Sequence, residues 1–142
     1  MILSKQGNFS EAQAITTTAA STNIIDRGAP GTPLGAPTTV PRDLGKSMIP
    51  ILCQVVETFA TLTSLQVTLQ ADDDSAFGSP TTVDITPAIA AATLVAGYKF
   101  PMLQLPPGIT ERYIRLNYTV AGSAATAGKI TAGLVAAVQT NP

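Results

Sequence analysis

Histidine is absent from the 142-residue chain. With it go the commonest general base, the commonest zinc ligand and the Ser-His-Asp and Cys-His nucleophile systems. What remains for acid–base work is chiefly carboxylate, nine side chains in all, of which Glu57, Asp72-Asp73-Asp74, Asp84 and Glu111 are the candidates. Two carboxylates flanking a glycosidic bond can hydrolyse it, but no spacing here marks a pair. The Asp72-Asp73-Asp74 run follows an alternating segment and precedes Ser75, which suits a solvated turn whose carboxylates cap backbone amides. Calcium is the second reading of the same oxygens, although the D-x-D-x-D-G spacing of a calcium loop is missing. Neither glycine pattern that cradles phosphate occurs, and 122–128 is a turn of small residues. Three Tyr, four Phe and no Trp give no stacking platform for sugars or bases. Cys53, alone in Ile51-Leu52-Cys53-Gln54-Val55, reads as a small buried apolar side chain and excludes an intrachain disulfide. The expectation is a protein that is not an enzyme, with no catalytic, cofactor-binding or metal-ligating residue.

The elements carrying these residues have period two. Leu65, Val67 and Leu69 alternate with Gln66, Thr68 and Gln70; Ile114, Leu116, Tyr118 and Val120 alternate with Tyr113, Arg115, Asn117 and Thr119; Ile130, Ala132, Leu134, Ala136 and Val138 set an inward face over 129–139. Alternation of this kind marks half-buried antiparallel strands. Weaker strand signals lie at 12–16, 22–26, 48–57, 82–86 and 98–105. Turn formers separate them at Phe77-Gly78-Ser79-Pro80, Leu105-Pro106-Pro107-Gly108 and Ala121-Gly122-Ser123. The count is about eight strands, that of a jelly roll and close to that of other sandwiches. Residues 88–95 are the one helix-friendly stretch, too short and too small-sided for more than a turn. The predicted fold class is an all-β, single-domain antiparallel β-sandwich of jelly-roll type spanning 1–142. It carries an extended N-terminal arm at 1–10 and a long Pro/Gly-rich loop at 28–45, whose prolines favour a stiff, extended path.

Charge is scarce: 12% of residues are charged against 45% hydrophobic, about half the roughly 25% charged content of soluble domains. Either part of the surface meets other protein or Thr, Ser, Gln and Asn cover it. A net charge of -1 supplies no field for nucleic acid or an anionic membrane. The opening Met1-Ile2-Leu3-Ser4-Lys5-Gln6-Gly7-Asn8 lacks the basic flank and apolar stretch of an export signal, and no run has the length of a membrane span. The expectation is synthesis in the cytoplasm, with neither nucleic acid nor membrane as partner.

The stretch Leu105-Pro106-Pro107-Gly108-Ile109-Thr110-Glu111-Arg112-Tyr113-Ile114-Arg115-Leu116-Asn117-Tyr118 resembles the capsid cement (decoration) proteins of tailed phages, of the type on the Bordetella short-tailed phage. Ser10-Glu11-Ala12-Gln13-Ala14-Ile15-Thr16, Ser21-Thr22-Asn23-Ile24-Ile25-Asp26, the region from Leu69-Gln70 to Ser79-Pro80-Thr81-Thr82, and Ala127-Gly128-Lys129-Ile130-Thr131-Ala132-Gly133-Leu134 are similar to that family in the same order. The resemblance implies a jelly-roll protein on the outer surface of a capsid that self-associates and clamps neighbouring major capsid proteins. A homodimer is the expected form of that association, because two-fold closure is the commonest symmetry and a hydrophobic, charge-poor composition suits an isologous contact. Extended segments suit such attachment, since prolines reduce the ordering cost of binding. The capsid-contact candidates are Ile2, Leu3, Phe9, Leu34 and Leu44. The competing function is a ligand- or carbohydrate-binding attachment module, which the few aromatics disfavour.

Overall fold

Twofold alternation dominates the computed structural model, which describes residues 4–32, 34–37, 47–101 and 103–138. Its strands are β1 (Asn8–Ala14), β2 (Ala19–Ala20), β3 (Ile25–Asp26), β4 (Ile49–Asp72), β5 (Thr81–Ile85), β6 (Ile89–Ala90), β7 (Leu103–Leu105) and β8 (Tyr113–Leu134), with single 3-10 turns at Lys5–Gly7 and Ala91–Thr93. Several elements differ from the sequence expectation: β1 starts at Asn8 rather than 12, β3 and β7 cover only the ends of 22–26 and 98–105, and β2 and β6 are additional. Two mergers matter most. The segments 48–57 and 65–70 are parts of one 24-residue strand, β4. The segments 112–121 and 129–139 merge into the 22-residue β8, which ends at Leu134, so Ala136 and Val138 lie past the strand and not on its inward face.

The expected turn at Gly122 is instead a bend inside β8. β4 and β8 pair antiparallel from Ile51↔Leu134 to Asp72↔Tyr113, with register shifts between Val55 and Ser64. Bulges of this kind let a strand bend sharply without leaving its ladder. The bend requires glycine at two places. At Gly128 (φ +134°) a Cβ would collide with the ring of Phe59, and at Gly122 (φ +82°) with the side chain of Thr63.

The bends divide the sheet into two four-ribbon halves. In one, β1 pairs with the C-terminal part of β8, which pairs with the N-terminal part of β4, which pairs with β7. In the other, β2 and β3 flank the N-terminal part of β8, and β5 and β6 flank the C-terminal part of β4. First pairs with last, and each inner segment with its counterpart, as when one long antiparallel ribbon is rolled up. That is the jelly-roll arrangement, and the expected all-β sandwich is what the chain forms.

Phe9, Val55, Leu65, Val67, Leu69, Ile114, Leu116, Tyr118 and Ile130 are fully or almost fully buried in one core cluster drawn from both halves. Most of their alternate neighbours face outward. Asn8 and Ser10, on either side of Phe9, are buried at the irregular start of β1, and Thr68, on the outward face, is only 7% exposed, with Ile85 and Asn117 opposite it on both flanking strands.

The roll has two unlike ends. Tight bends at 15–18, 58–64, 94–97 and 121–128 meet at one end, through Ala125 N–H to Thr16 O (2.8 Å) and Phe59 N–H to Leu94 O (3.0 Å). These segments contain no charged residue. The residues just after β3, the loop after β4 and the loop before β8 gather at the opposite end.

Candidate functional site

The long-loop end is where charge concentrates. Asp26, the last residue of β3, is gripped by Arg112: Nε donates to Oδ1 and NH2 to Oδ2, each at 2.8 Å. The Arg112 backbone N–H donates to Asp73 Oδ1 (3.0 Å), and its guanidinium lies 4.9 Å from the Tyr113 ring centroid. Arg27 reaches the same loop by donating from NH1 to the carbonyls of Ile109 (2.8 Å) and Glu111 (2.9 Å). Arg115 stacks on Phe77 at 4.1 Å and donates to Gln70 Oε1 (2.9 Å). Three loops are thereby tied into one platform, from which 28–37 departs.

Asp72-Asp73-Asp74 forms the expected turn. Asp72 Oδ1 accepts from Asp74 N–H (2.9 Å) and Oδ2 from Ser79 N–H (3.1 Å), while Asp74 Oδ1 accepts from Ala76 N–H (3.0 Å). The Asp74 amide, more than any other contact, holds the Asp72 carboxyl below its ordinary range. These oxygens are thus committed to backbone donors, and among the described residues no group of three or more acidic, Cys or His side chains is placed to hold a metal ion.

The sequence candidates for capsid contact separate into three groups. Ile2, Leu3 and Leu44 lie outside the described residues. Leu34 is fully exposed, standing out from the 28–37 loop. Phe9 requires correction: it belongs to β1, is 0% exposed and sits in the core, so it is no surface contact. The arm of 1–10 is shortened accordingly, because Lys5–Gly7 is a 3-10 turn and Asn8–Ser10 already pair with β8. Phe9 is a candidate only if 1–10 is an extended arm, and β1 beginning at Asn8 takes it into the sheet.

Further buried groups lie in β1, β4 and β8. Tyr118 OH and Ser10 Oγ form a buried hydrogen bond of 2.7 Å, and burial pushes the Tyr118 phenol well above its ordinary range. Burial likewise raises the Cys53 thiol, which leaves it unreactive. Asn8, 7% exposed, has a buried Oδ1 with no hydrogen-bond partner among the described residues. Tyr113 and Tyr118 fall on opposite faces as their spacing required, Tyr118 in the core and Tyr113 half-buried. No helix among the described residues is long and apolar enough to cross a membrane.

A rolled antiparallel ribbon with one charge-free end and one loop-rich end defines an all-β jelly-roll protein whose distinctive features lie on its surface. A model of the Bbp16 family, named for a Bordetella phage protein, matches residues 9–134. The chain belongs to that bacteriophage protein family. A search of curated proteins finds no match.

Proposed function

We propose that the chain is a structural, non-enzymatic component of the phage particle that binds the outer surface of the capsid and cements neighbouring major capsid proteins. The observation that carries this reading, beside the phage family, is the construction of the long-loop end. Leu34 extends into solvent from a proline-rich loop, and the loop springs from a platform fixed by Asp26, Arg27, Asp73 and Arg112. A fully exposed leucine on a proline-bearing loop favours burial against another protein, since prolines lower the ordering cost that opposes binding. Met48, exposed at the far end of the same loop, adds a second apolar contact beside Val83 and Pro106.

Every aromatic ring is at least half-buried: Phe9, Phe59, Phe77, Phe100 and Tyr118 are buried, and Tyr98 and Tyr113 partly so. A sugar-binding surface of stacked rings therefore has no support, and the attachment-module alternative is set aside. The charge-free end suits self-association into a two-fold dimer, because an isologous contact there brings no like charges together. Many copies on one shell make individually weak contacts sufficient, through avidity gains of roughly 10²–10⁴. The test is to add the chain to shells that lack it and measure binding and shell resistance to heat. Decoration at many copies with raised resistance supports cementing, and no binding refutes it.

A further inference from the structure

β5 and β7 are edge strands, one in each half of the sheet: each pairs with β4 and, among the described residues, with no other strand. No ladder joins the two to each other, but the Asp84 carboxylate does. Its Oδ1 accepts from Ile85 N–H (2.8 Å) and its Oδ2 from Gln104 N–H (2.9 Å). Both donors point away from β4. Gln104 stands opposite Pro50, which has no N–H to exchange, so that rung is an unbonded one and the Gln104 amide faces the outer edge. Thr86 N–H donates inward to Val67 O, which turns the preceding amide, that of Ile85, outward. An outward amide on an edge strand is a template for a further strand. This edge also has apolar flanks. Ile85, beside Asp84, is 52% exposed and Met48 60%, and Met48 lines an open hollow of about 280 Å³ with Val83, Asp84, Gln104 and Pro106.

We propose that Asp84 guards this edge: by holding the outward amides of both strands it prevents a second copy of the chain from pairing with β7. A second copy is the partner the bare edge fits. Gln104 would offer one N–H and one C=O to the outside, and two such edges related by a two-fold axis exchange both bonds of one antiparallel rung. With Asp84 in place the donor is already taken, and an incoming carbonyl meets a negative charge. Asp84 thereby keeps self-association off the β7 edge and leaves it to other surfaces of the chain. This inference goes beyond the proposed shell binding and does not depend on it.

The tests use the full chain without shells. In the parent, the Gln104 amide exchanges at least about tenfold more slowly than in the unfolded chain; a rate equal to the unfolded one would show that the contact is not held and would overturn the inference. Asp84→Ala frees both amides. At low concentration its Gln104 amide exchanges at least about tenfold faster than the parent's, and in light scattering its apparent mass climbs with concentration to about twice the parent's. Adding Gln104→Pro removes the freed donor at an edge position that tolerates proline, and the mass returns to the parent's. Asp84→Asn keeps the size of the side chain but accepts through one oxygen only and carries no charge, so it gives a milder association that Gln104→Pro again abolishes. The inference is overturned if the folded Asp84 variants keep the parent's mass at every concentration. Association that survives Gln104→Pro overturns it as well, since the contact then runs through another surface.

Discussion

Arg112 holds Asp26 by two parallel hydrogen bonds of 2.8 Å, Nε to Oδ1 and NH2 to Oδ2, joining the end of β3 to the start of β8 across 86 residues of sequence. The planar guanidinium fork matches the carboxylate, a geometry lysine cannot reproduce. Both side chains are more than a third exposed, so solvent screening limits what the pair adds to global stability. Its consequence is local order. Arg112→Gln is expected to leave the melting midpoint close to the parent's while speeding amide exchange at 108–112 and weakening shell binding. Unchanged exchange in that loop would show that Arg27 alone fixes it.

The Asp72 turn gives a pH signature. Its carboxyl is held below the ordinary value of 3.8 by backbone donors, that of Asp74 foremost. A depressed folded pKa contributes stability that is present above the unfolded value and lost as pH falls through the folded one. Asp72→Asn should therefore lower the melting temperature near neutrality and converge on the parent below about pH 4. Parallel melting curves from pH 7 to pH 2 would remove the carboxylate from the account.

Inward-facing strand positions are intolerant of charge. Leu116→Asp and Val67→Asp place a carboxylate among fully buried residues with no partner, and neither variant should accumulate as folded protein. Thr68→Asp, which alternation alone would class as a mild surface change, is expected to destabilise clearly, since Thr68 is only 7% exposed. Normal melting of Leu116→Asp would overturn the assigned core face.

Gly128→Ala tests the bend. The positive φ disfavours any side chain, and a Cβ there meets the Phe59 ring; a loss of about 2–4 kcal/mol is expected from strain plus steric conflict. Denaturant unfolding reads it directly. Phe59→Leu in the Gly128→Ala background should recover part of the loss, and no recovery would show that the ring is not the obstacle.

These outcomes mark where sequence was informative. Leu65, Val67, Leu69, Ile114, Leu116 and Tyr118 showed their burial through period two because strand geometry repeats every second residue. The merging of 48–57 with 65–70, and of 112–121 with 129–139, was hidden because bulges between Val55 and Ser64 reset the alternation and Gly122 looks like a turn residue whether a chain reverses or only bends. The Asp26–Arg112 pair was not legible, because its partners stand 86 residues apart in the chain. Leu34 was legible as an apolar residue in a breaker-rich loop, whereas Phe9 was misplaced because the start of β1 carries no clear alternation and reads as part of an extended arm.

The most direct measurement of the central claim is a titration of the chain, and of Leu34→Asp, onto shells lacking it, followed by copy counting and heating of the decorated particles. The account predicts saturable decoration of the outer surface by the parent, shells that survive higher temperature, and markedly weaker decoration by Leu34→Asp, whose fold is unaffected because the side chain is fully exposed. Parent protein that leaves the shells bare, or that decorates them without raising their heat resistance, would contradict it.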